Sequence, residues 1–255
     1  MYSNYLIIIF SNIKYNYLYI MFLILLFLMN LYLIFSQPYK LLEFNTTNNI
    51  LLNGEINEKT SSKFIYDLNI MPYKQNVVVY LNTPGGSVSH GMKIVDEVKK
   101  YNLSCVAESA YSMGFIIFQY CKNRYILSHG KLMQHQLALG IMDQKSRIES
   151  YMSYINDMER EIIKNQANRI EITETLFKEK INNDWWLYGD NAVKEKCADE
   201  LAQVECSPEL TKKTEIVEKG SYKYTYSKCP LVSNYIKREK LKDDDDDSKY
   251  FIPFI

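Results

Sequence analysis

Residues 77–87 read VVVYLNTPGGS. The first five form a continuous β-branched and aliphatic run, which is typical of a strand buried on both faces. The next six form a turn that contains two consecutive glycines. After the turn, Met92, Ile94, Val95 and Val98 recur on one face of a helix. Together these residues predict a strand, a loop and a helix in direct succession.

Strands and helices alternate on both sides of this unit. This alternation predicts an α/β fold rather than an all-helical or all-strand one. Residues 147–166 combine regularly spaced apolar residues with many charges, which indicates a long amphipathic helix. Further periodicity predicts strands at 50–52, 103–107, 125–127 and 132–133 and helices at 58–70 and 112–121.

The composition excludes several classes of protein. Its 30 basic and 30 acidic residues leave no net charge, whereas nucleic-acid-binding proteins usually carry a basic excess. Five cysteines are too few for a disulfide scaffold, and the three histidines have no standard zinc spacing. A hydrophobic content of 47% is ample for a packed core. We therefore expect a globular domain that binds neither nucleic acid nor a metal.

Residues 1–40 form a hydrophobic leader. It is densest at 19–35, and its extension back to Tyr15 reaches the length of a membrane span. We expect a cleaved signal peptide or a retained membrane anchor, since a run of this kind at an N-terminus rarely belongs to a core. The leader predicts that the globular part is membrane-associated or lies in the lumen of a secretory compartment, with another organelle as the alternative.

The C-terminal part, residues 207–255, is predicted to be a polar, partly disordered tail. It contains the acidic run Asp243–Asp247, which is typical of a solvated segment. Alternating tyrosines at 222–226 indicate a hairpin at an edge. If the compartment is oxidising, Cys206 and Cys229 are candidates for a disulfide that tethers this tail, provided that their Cα atoms approach within about 7 Å.

Residues 110–114 read AYSMG and place Ser112 where a strand is predicted to end and a helix to begin. A helix N-terminus has free N–H groups, so a serine at this point has the surroundings that an activated nucleophile with an oxyanion hole needs. The alternative is a serine that merely caps the helix.

Three other motifs contain residues of types that are common in active sites. The pair Gly85-Gly86 after the buried strand lets the backbone approach a ligand and aim its N–H groups inward, although an ordinary turn is the alternative. His135, in the sequence MQHQ, follows a short strand and is either a site residue or a satisfied core histidine. Asp184 precedes Trp185 and could instead occupy a turn or a helix cap.

In this order the motifs resemble the proteolytic subunit family of the Clp protease (ClpP). The N-x-P-G-G loop of that family reads NTPGG at 82–86, A-x-S-M-G reads AYSMG at 110–114, and M-x-H-Q reads MQHQ at 133–136. Asp184 stands before Trp185 as the acidic residue of the family stands before an aromatic one. The four motifs keep the order Ser, His, Asp, so the resemblance is specific.

The resemblance spans about residues 49–204 and implies the fold of the whole domain. The expected fold is α/β, a ClpP/crotonase-like spiral of repeated ββα units with a long handle helix at about 145–168. The protease domain is expected at 45–206.

The resemblance also implies a role for each matched residue. Ser112 would be the nucleophile, His135 the general base and Asp184 the residue that orients His135. The backbone N–H groups of Gly86 and Met113 would form the oxyanion hole. The reaction would be hydrolysis of a peptide or an unfolded protein through an acyl-enzyme, in a homo-oligomer and with no cofactor.

The chain departs from the family pattern at several places, including the Gly-rich stretch that is reduced to Gly140. Leu137 stands where the family usually has proline. Asn183 stands where it often has an arginine that couples ring pairing to the triad. The leader, residues 1–40, stands in place of the axial loops that meet an unfoldase, so the resemblance does not transfer a Clp-type ATPase partner to this chain.

Three alternative functions remain open from the sequence. The first is a catalytically inactive scaffold or binding subunit on the same fold. The second is a membrane-associated peptidase of the signal peptide peptidase A branch, which would use a lysine as its base. The third is an acyl-CoA lyase or hydratase, since that family shares the superfold.

Overall fold

The structure is a computed structural model that describes residues 19–29 and 39–241. Residues 19–29 form an exposed helix, α1. Of the residues described, none belongs to a helix that is long and apolar enough to cross a membrane. Residues 1–18 and 30–38 of the predicted leader lie outside the described residues, and so does the acidic run Asp243–Asp247.

A mostly parallel sheet forms the centre of the domain that begins at Lys40. Its strands follow the order β1-β7-β5-β4-β3-β2, and β6 joins it antiparallel to β5. Val79, Tyr80 and Leu81 of β3 are almost fully buried, as the continuous hydrophobic run at 77–81 predicts. The strands are β1 (Lys40–Phe44), β2 (Asn49–Asn53), β3 (Val78–Thr83), β4 (Ser104–Tyr111), β5 (Arg124–Gln134), β6 (Trp185–Tyr188) and β7 (Glu200–Cys206).

Helices cover the sheet, and local sequence signals define their ends. Asn57 begins α2 with a reciprocal capping box, and Ser87 begins α3 by accepting a hydrogen bond from the backbone of His90. The long helix α5 ends at Glu171 in a left-handed conformation. The helices are α2 (Glu58–Ile70), α3 (Val88–Tyr101), α4 (Met113–Gln119), α5 (Lys145–Ile170), α6 (Glu174–Ile181) and α7 (Asp190–Lys194).

These elements confirm the predicted α/β class and the long helix expected at 145–168. The structure differs from the sequence analysis within β5, where two short strands were predicted at 125–127 and 132–133. Instead, these residues belong to one continuous strand, in which Ser128 and His129 are exposed. The pairing of this strand with β4 shifts register between Ala107 and Ser109 of β4.

The polar tail predicted at 207–255 contains regular structure as far as the structure describes it. A short helix, α8 (Pro208–Lys212), precedes an antiparallel sheet of β8 (Thr214–Lys219), β9 (Tyr222–Ser227) and β10 (Tyr235–Lys240). The hairpin indicated by the alternating tyrosines is confirmed as β8 and β9. A disulfide joins Cys206 to Cys229 across a Cα–Cα distance of 5.9 Å, as the sequence analysis anticipated.

Candidate active site

The predicted site residues lie at one edge of the central sheet. Strands β3, β4 and β5 are parallel neighbours, so their carboxyl ends meet at this edge. Gly86 follows β3, Ser112 follows β4 and His135 follows β5. Because β6 runs antiparallel and its first residue pairs with the last residue of β5, Asp184 comes next to the register position of His135. Ligands of open α/β sheets usually bind at this edge.

Ser112 occupies the turn between β4 and α4 in a strained conformation. Its φ is 53° and its ψ is −117°, a region that residues other than glycine rarely adopt. The backbone is held there because the N–H of Ser112 donates to the carbonyl of Met133 at 2.8 Å. The Ser112 side chain makes no capping hydrogen bond to α4, which argues against the simple helix-cap interpretation. Its hydroxyl is thus available to the space beside it.

The glycine loop packs directly against this turn. Gly85 has a φ of +92°, and a Cβ atom on it would lie 2.6 Å from the carbonyl oxygen of Tyr111 and 2.7 Å from Cβ of Ser112. Gly86 has a φ of +141° and pairs with Ile56 in an isolated parallel bridge. Within the described residues, the N–H groups of Gly86 and Met113 appear in no backbone hydrogen bond between elements. Both are therefore able to donate to a ligand.

His135 is half-buried just after β5, and its backbone is tied to the long helix α5 through an amide pair. The N–H of His135 donates to Oε1 of Gln134 at 3.2 Å. Nε2 of Gln134 donates to Oε1 of Gln166 at 2.7 Å, and Nε2 of Gln166 donates to the carbonyl of Ile162. Both glutamines are buried, with exposed fractions of 3% and 1%. The pair connects the position of His135 to that of α5.

Asp184 precedes β6 with an exposed side chain and a φ of 52°. The strand beside it is anchored by aromatic packing, because the ring of Trp185 lies 6.4 Å from that of Phe115 and 6.2 Å from that of Phe177. Nζ of Lys180 lies 4.6 Å from the centre of the Trp185 ring. This cluster positions the start of β6 and, with it, the backbone of Asp184.

A cavity of about 130 Å³ opens beside Ser112. Four of the five predicted site residues line it, namely Gly86, Ser112, Met113 and His135. Asp184 is not among the lining residues, and no hydrogen bond within the described residues joins the side chains of Ser112, His135 and Asp184. The structure therefore brings Ser112, His135 and the backbone of Gly86 and Met113 to one cavity and leaves Asp184 outside its lining.

Helix α5 supplies lining residues that the sequence analysis did not assign to the site. Glu159, Ile162, Ile163 and Gln166 line the cavity. The sequence contained a sign of this, because positions 155, 159, 162 and 166 share one face of the helix. On this face, Glu159 and Gln166 interrupt a stripe of isoleucines. The described lining contains no lysine, so the lysine base of the signal peptide peptidase A branch has no counterpart there.

Comparison with known proteins places these features in a family. The profile of the Clp protease family matches residues 37–205. The ATP-dependent Clp protease proteolytic subunit of Borrelia garinii subsp. bavariensis is 27% identical over 153 residues, which cover 57% of this chain and 79% of that protein. Proteolytic subunit 1 of Borreliella burgdorferi is 26% identical over 153 residues, covering 57% and 79%. Proteolytic subunit 2 of Tropheryma whipplei is 26% identical over 152 residues, covering 56% and 84%.

Proposed function

We propose that this chain, which belongs to the Clp protease family, is a serine peptidase that hydrolyses peptide bonds of peptides or unfolded proteins. The observation that supports it most directly is the turn at Ser112. An uncapped serine hydroxyl is held on a strained strand-to-helix turn, in the same cavity as a histidine and two N–H donors. These are the groups that acyl transfer requires.

The proposed reaction proceeds through an acyl-enzyme. Oγ of Ser112 attacks the carbonyl carbon of the scissile bond while His135 accepts its proton, and the N–H groups of Gly86 and Met113 stabilise the oxyanion. His135 then passes the proton to the leaving amine, and water hydrolyses the ester by the same route. Asp184 orients His135. The hydrogen bonds of such a triad often tighten when substrate binds, so we expect Ser112, His135 and Asp184 to close up in the complex.

Labelling with a fluorophosphonate probe tests this proposal. We expect covalent modification of the wild-type chain at Ser112, no labelling of Ser112→Ala, and hydrolysis of an unstructured peptide that is lost in both Ser112→Ala and His135→Ala. An inactive scaffold would show neither labelling nor hydrolysis. A hydratase would act on an enoyl-CoA and would tolerate the Ser112→Ala change. Either result would overturn the peptidase proposal.

We also propose that the chain works as a homo-oligomer. Large apolar side chains on and near α5 are exposed, including Met142, Tyr151 and Tyr154, which suits a surface that a second copy covers. Light scattering should give a mass that is a multiple of the 30.1 kDa chain. A monodisperse monomer across the concentration range would contradict the proposal.

For its location, we propose an oxidising compartment, at a membrane or in a secretory lumen. The support comes from two disulfides, Cys105–Cys121 and Cys206–Cys229, because such bonds persist outside the reducing cytosol. If the protein is purified without reductant, denatured and then alkylated, we expect modification at Cys197 alone. Modification of all five cysteines would contradict an oxidising location.

A further inference from the structure

We propose that the cavity beside Ser112 selects substrates with a lysine or arginine side chain next to the scissile bond, and that Glu159 recognises the positive charge. This inference rests on the proposed peptidase function and names the substrate class of the same site.

The walls of the cavity suit the hydrocarbon stem of a long side chain. Helices α4 and α5 both contribute residues to its lining. Lysine and arginine bury their methylene groups against apolar surface while the charged end seeks a polar partner. The aliphatic lining residues are Val88, Ile116, Leu137, Ala138, Ile162, Ile163 and Ile181.

Glu159 is the polar partner that the cavity offers to a cation. Its side chain is half-buried and, among the described residues, takes part in no ion pair or hydrogen bond. Neighbouring acids of α5 behave differently, because Glu149 pairs with Lys145 and Asp157 pairs with Arg160. Glu161 likewise accepts a hydrogen bond from Asn165. Glu159 is thus a carboxylate without a partner, turned to the cavity instead of to a surface lysine or arginine.

The other charges around the cavity do not compensate Glu159. Its described lining contains no lysine or arginine, and His135 is the other ionisable side chain there. A carboxylate in a partly dehydrated site attracts a cation more strongly than it would in bulk water, because the effective dielectric constant is lower. A basic substrate side chain supplies the missing charge, whereas an acidic one would be repelled.

The buried amide pair adds polarity below the apolar walls. Oε1 of Gln134 and Oε1 of Gln166 each accept one hydrogen bond, which leaves a second lone pair on each oxygen. A cation that enters the cavity finds these oxygens as further acceptors beside Glu159. A purely aliphatic side chain gains nothing from them, so the lining favours a side chain with a charged end.

Matched fluorogenic peptides test the proposal. They differ in a single residue on the acyl side of the scissile bond, which is arginine, lysine, norleucine or leucine. We expect kcat/KM to be higher for arginine and lysine than for norleucine, which has nearly the same stem without the charge. In Glu159→Gln, the ratio of kcat/KM for arginine to that for norleucine should fall by about ten- to one-hundredfold, since a hydrogen bond to a charged group contributes about 1.5–3 kcal/mol.

Glu149→Gln is the matched control, because Glu149 lies on the same helix and does not line the cavity. It should leave the ratio at the wild-type value. Glu159→Arg should invert the preference towards glutamate at the same substrate position. A wild-type preference for norleucine or leucine, or an equal fall of the ratio in Glu149→Gln, would overturn the role of Glu159.

A binding measurement separates this inference from the peptidase proposal. Fluorescence anisotropy with labelled arginine and norleucine peptides can use Ser112→Ala, which cannot form an acyl-enzyme. Tighter binding of the arginine peptide, weakened by Glu159→Gln, would support the specificity even if hydrolysis fails. Equal binding of the two peptides would overturn it even if Ser112 labels with a fluorophosphonate.

Discussion

Backbone strain at single residues distinguishes the candidate site from the rest of the described chain. Among the described residues, five non-glycine residues have positive φ. Asn102 and Glu171 do so as the caps that end α3 and α5, and Lys196 does so just after α7, where the left-handed conformation is common. Asp184 lies two residues beyond Asn182, which ends α6. Ser112 has no such explanation, because it precedes α4 and its ψ of −117° lies outside the left-handed helical region. Strain that no helix end requires is therefore found at the proposed nucleophile.

The close approach of Gly85 to Ser112 leads to a first prediction. In Gly85→Ala, the new methyl group would overlap Cβ of Ser112 and the carbonyl oxygen of Tyr111, so the Ser112 turn must move. A displacement of about 1 Å can cost roughly one hundredfold in rate. We therefore expect kcat/KM and fluorophosphonate labelling to fall by at least this factor, as measured by steady-state kinetics and labelling rate.

Gly54→Ala is the matched control for Gly85→Ala. Gly54 has a φ of +80°, close to the +92° of Gly85, but a Cβ atom on it would meet nothing within 4 Å. Both variants pay the same kind of backbone strain, and Gly85→Ala adds the overlap. Equal activity in the two variants would show that the packing of the glycine loop does not position Ser112.

At the scale of elements, the amide pair between β5 and α5 couples the backbone of His135 to the long helix. In Gln134→Leu or Gln166→Leu alone, the remaining buried amide loses a partner, which costs about 1–3 kcal/mol of unfolding free energy. The double variant removes both polar groups and should recover most of that stability. Its kcat should stay low, because the N–H of His135 no longer has the acceptor that holds it.

Thermal unfolding and kinetics together check the prediction for this pair. A merely structural pair would show kcat recovering with the melting temperature in the double variant. A positioning role predicts that the melting temperature recovers and kcat does not. Gln134→Glu, which keeps the acceptor for the His135 N–H, should retain more of kcat than Gln134→Leu.

A second contact between elements controls stability in acid. Arg124, at the start of β5 and 3% exposed, binds Asp199, which precedes β7, at 2.6 Å. Burial alone would raise the pKa of the Asp199 carboxyl, but the hydrogen bonds and the charge of Arg124 outweigh it and hold the pKa below its usual range. The unfolded chain therefore takes up the proton at a higher pH than the folded chain does.

The sign of the effect follows from that lowered pKa. The contribution of Asp199 to the unfolding free energy is present above the ordinary carboxyl pKa of about 3.9 and is lost as the pH falls towards the folded value. Urea unfolding should show a large difference between wild type and Asp199→Asn at pH 7 that shrinks below pH 4. Asp96→Asn, at an exposed position on α3, should differ little from wild type at either pH. A difference that does not depend on pH would contradict the assignment.

The elements differ in how well their sequences predict them. Helix α2 and the buried strand β3 were predicted closely, because capping residues and continuous apolar runs are local signals. The two short strands predicted within β5 correspond to its two stretches paired with β4, and Ser128 and His129 lie between these stretches, where the register shifts. Ser112 and His135 were identified through their motifs, whereas Glu159 and Gln166 come from a helix distant in sequence. Their position beside Ser112 depends on tertiary packing that periodicity alone does not describe.

At the scale of the whole molecule, the C-terminal sheet of β8, β9 and β10 is held to the rest of the domain by the disulfide Cys206–Cys229. This disulfide joins it to a small hydrophobic cluster. Strand β10 is exposed along its length, and Ile216 and Ile236 are more than half exposed, so this sheet buries little apolar surface of its own. Cys229, in contrast, is 3% exposed and packs in one cluster with Leu42 and Leu210. The disulfide to Cys206 thus fixes the sheet at the end of β7, far along the chain from the residues that line the cavity.

We expect Cys229→Ser to loosen residues 207–241 without loss of the active site. A disulfide typically contributes about 2–4 kcal/mol by restricting the unfolded chain, and this one closes a sequence separation of 23 residues. In limited trypsin digestion, cleavage after Lys219 and Lys223 should be faster in Cys229→Ser than in wild type, and wild type treated with reductant should shift in the same direction. Cys197→Ala, which removes the free buried cysteine, should digest like wild type.

Fluorophosphonate labelling of Ser112 should persist in the Cys229→Ser fragment that retains residues 40–206. Unchanged digestion, or labelling that disappears together with the C-terminal sheet, would mean that this sheet is an integral part of the catalytic fold.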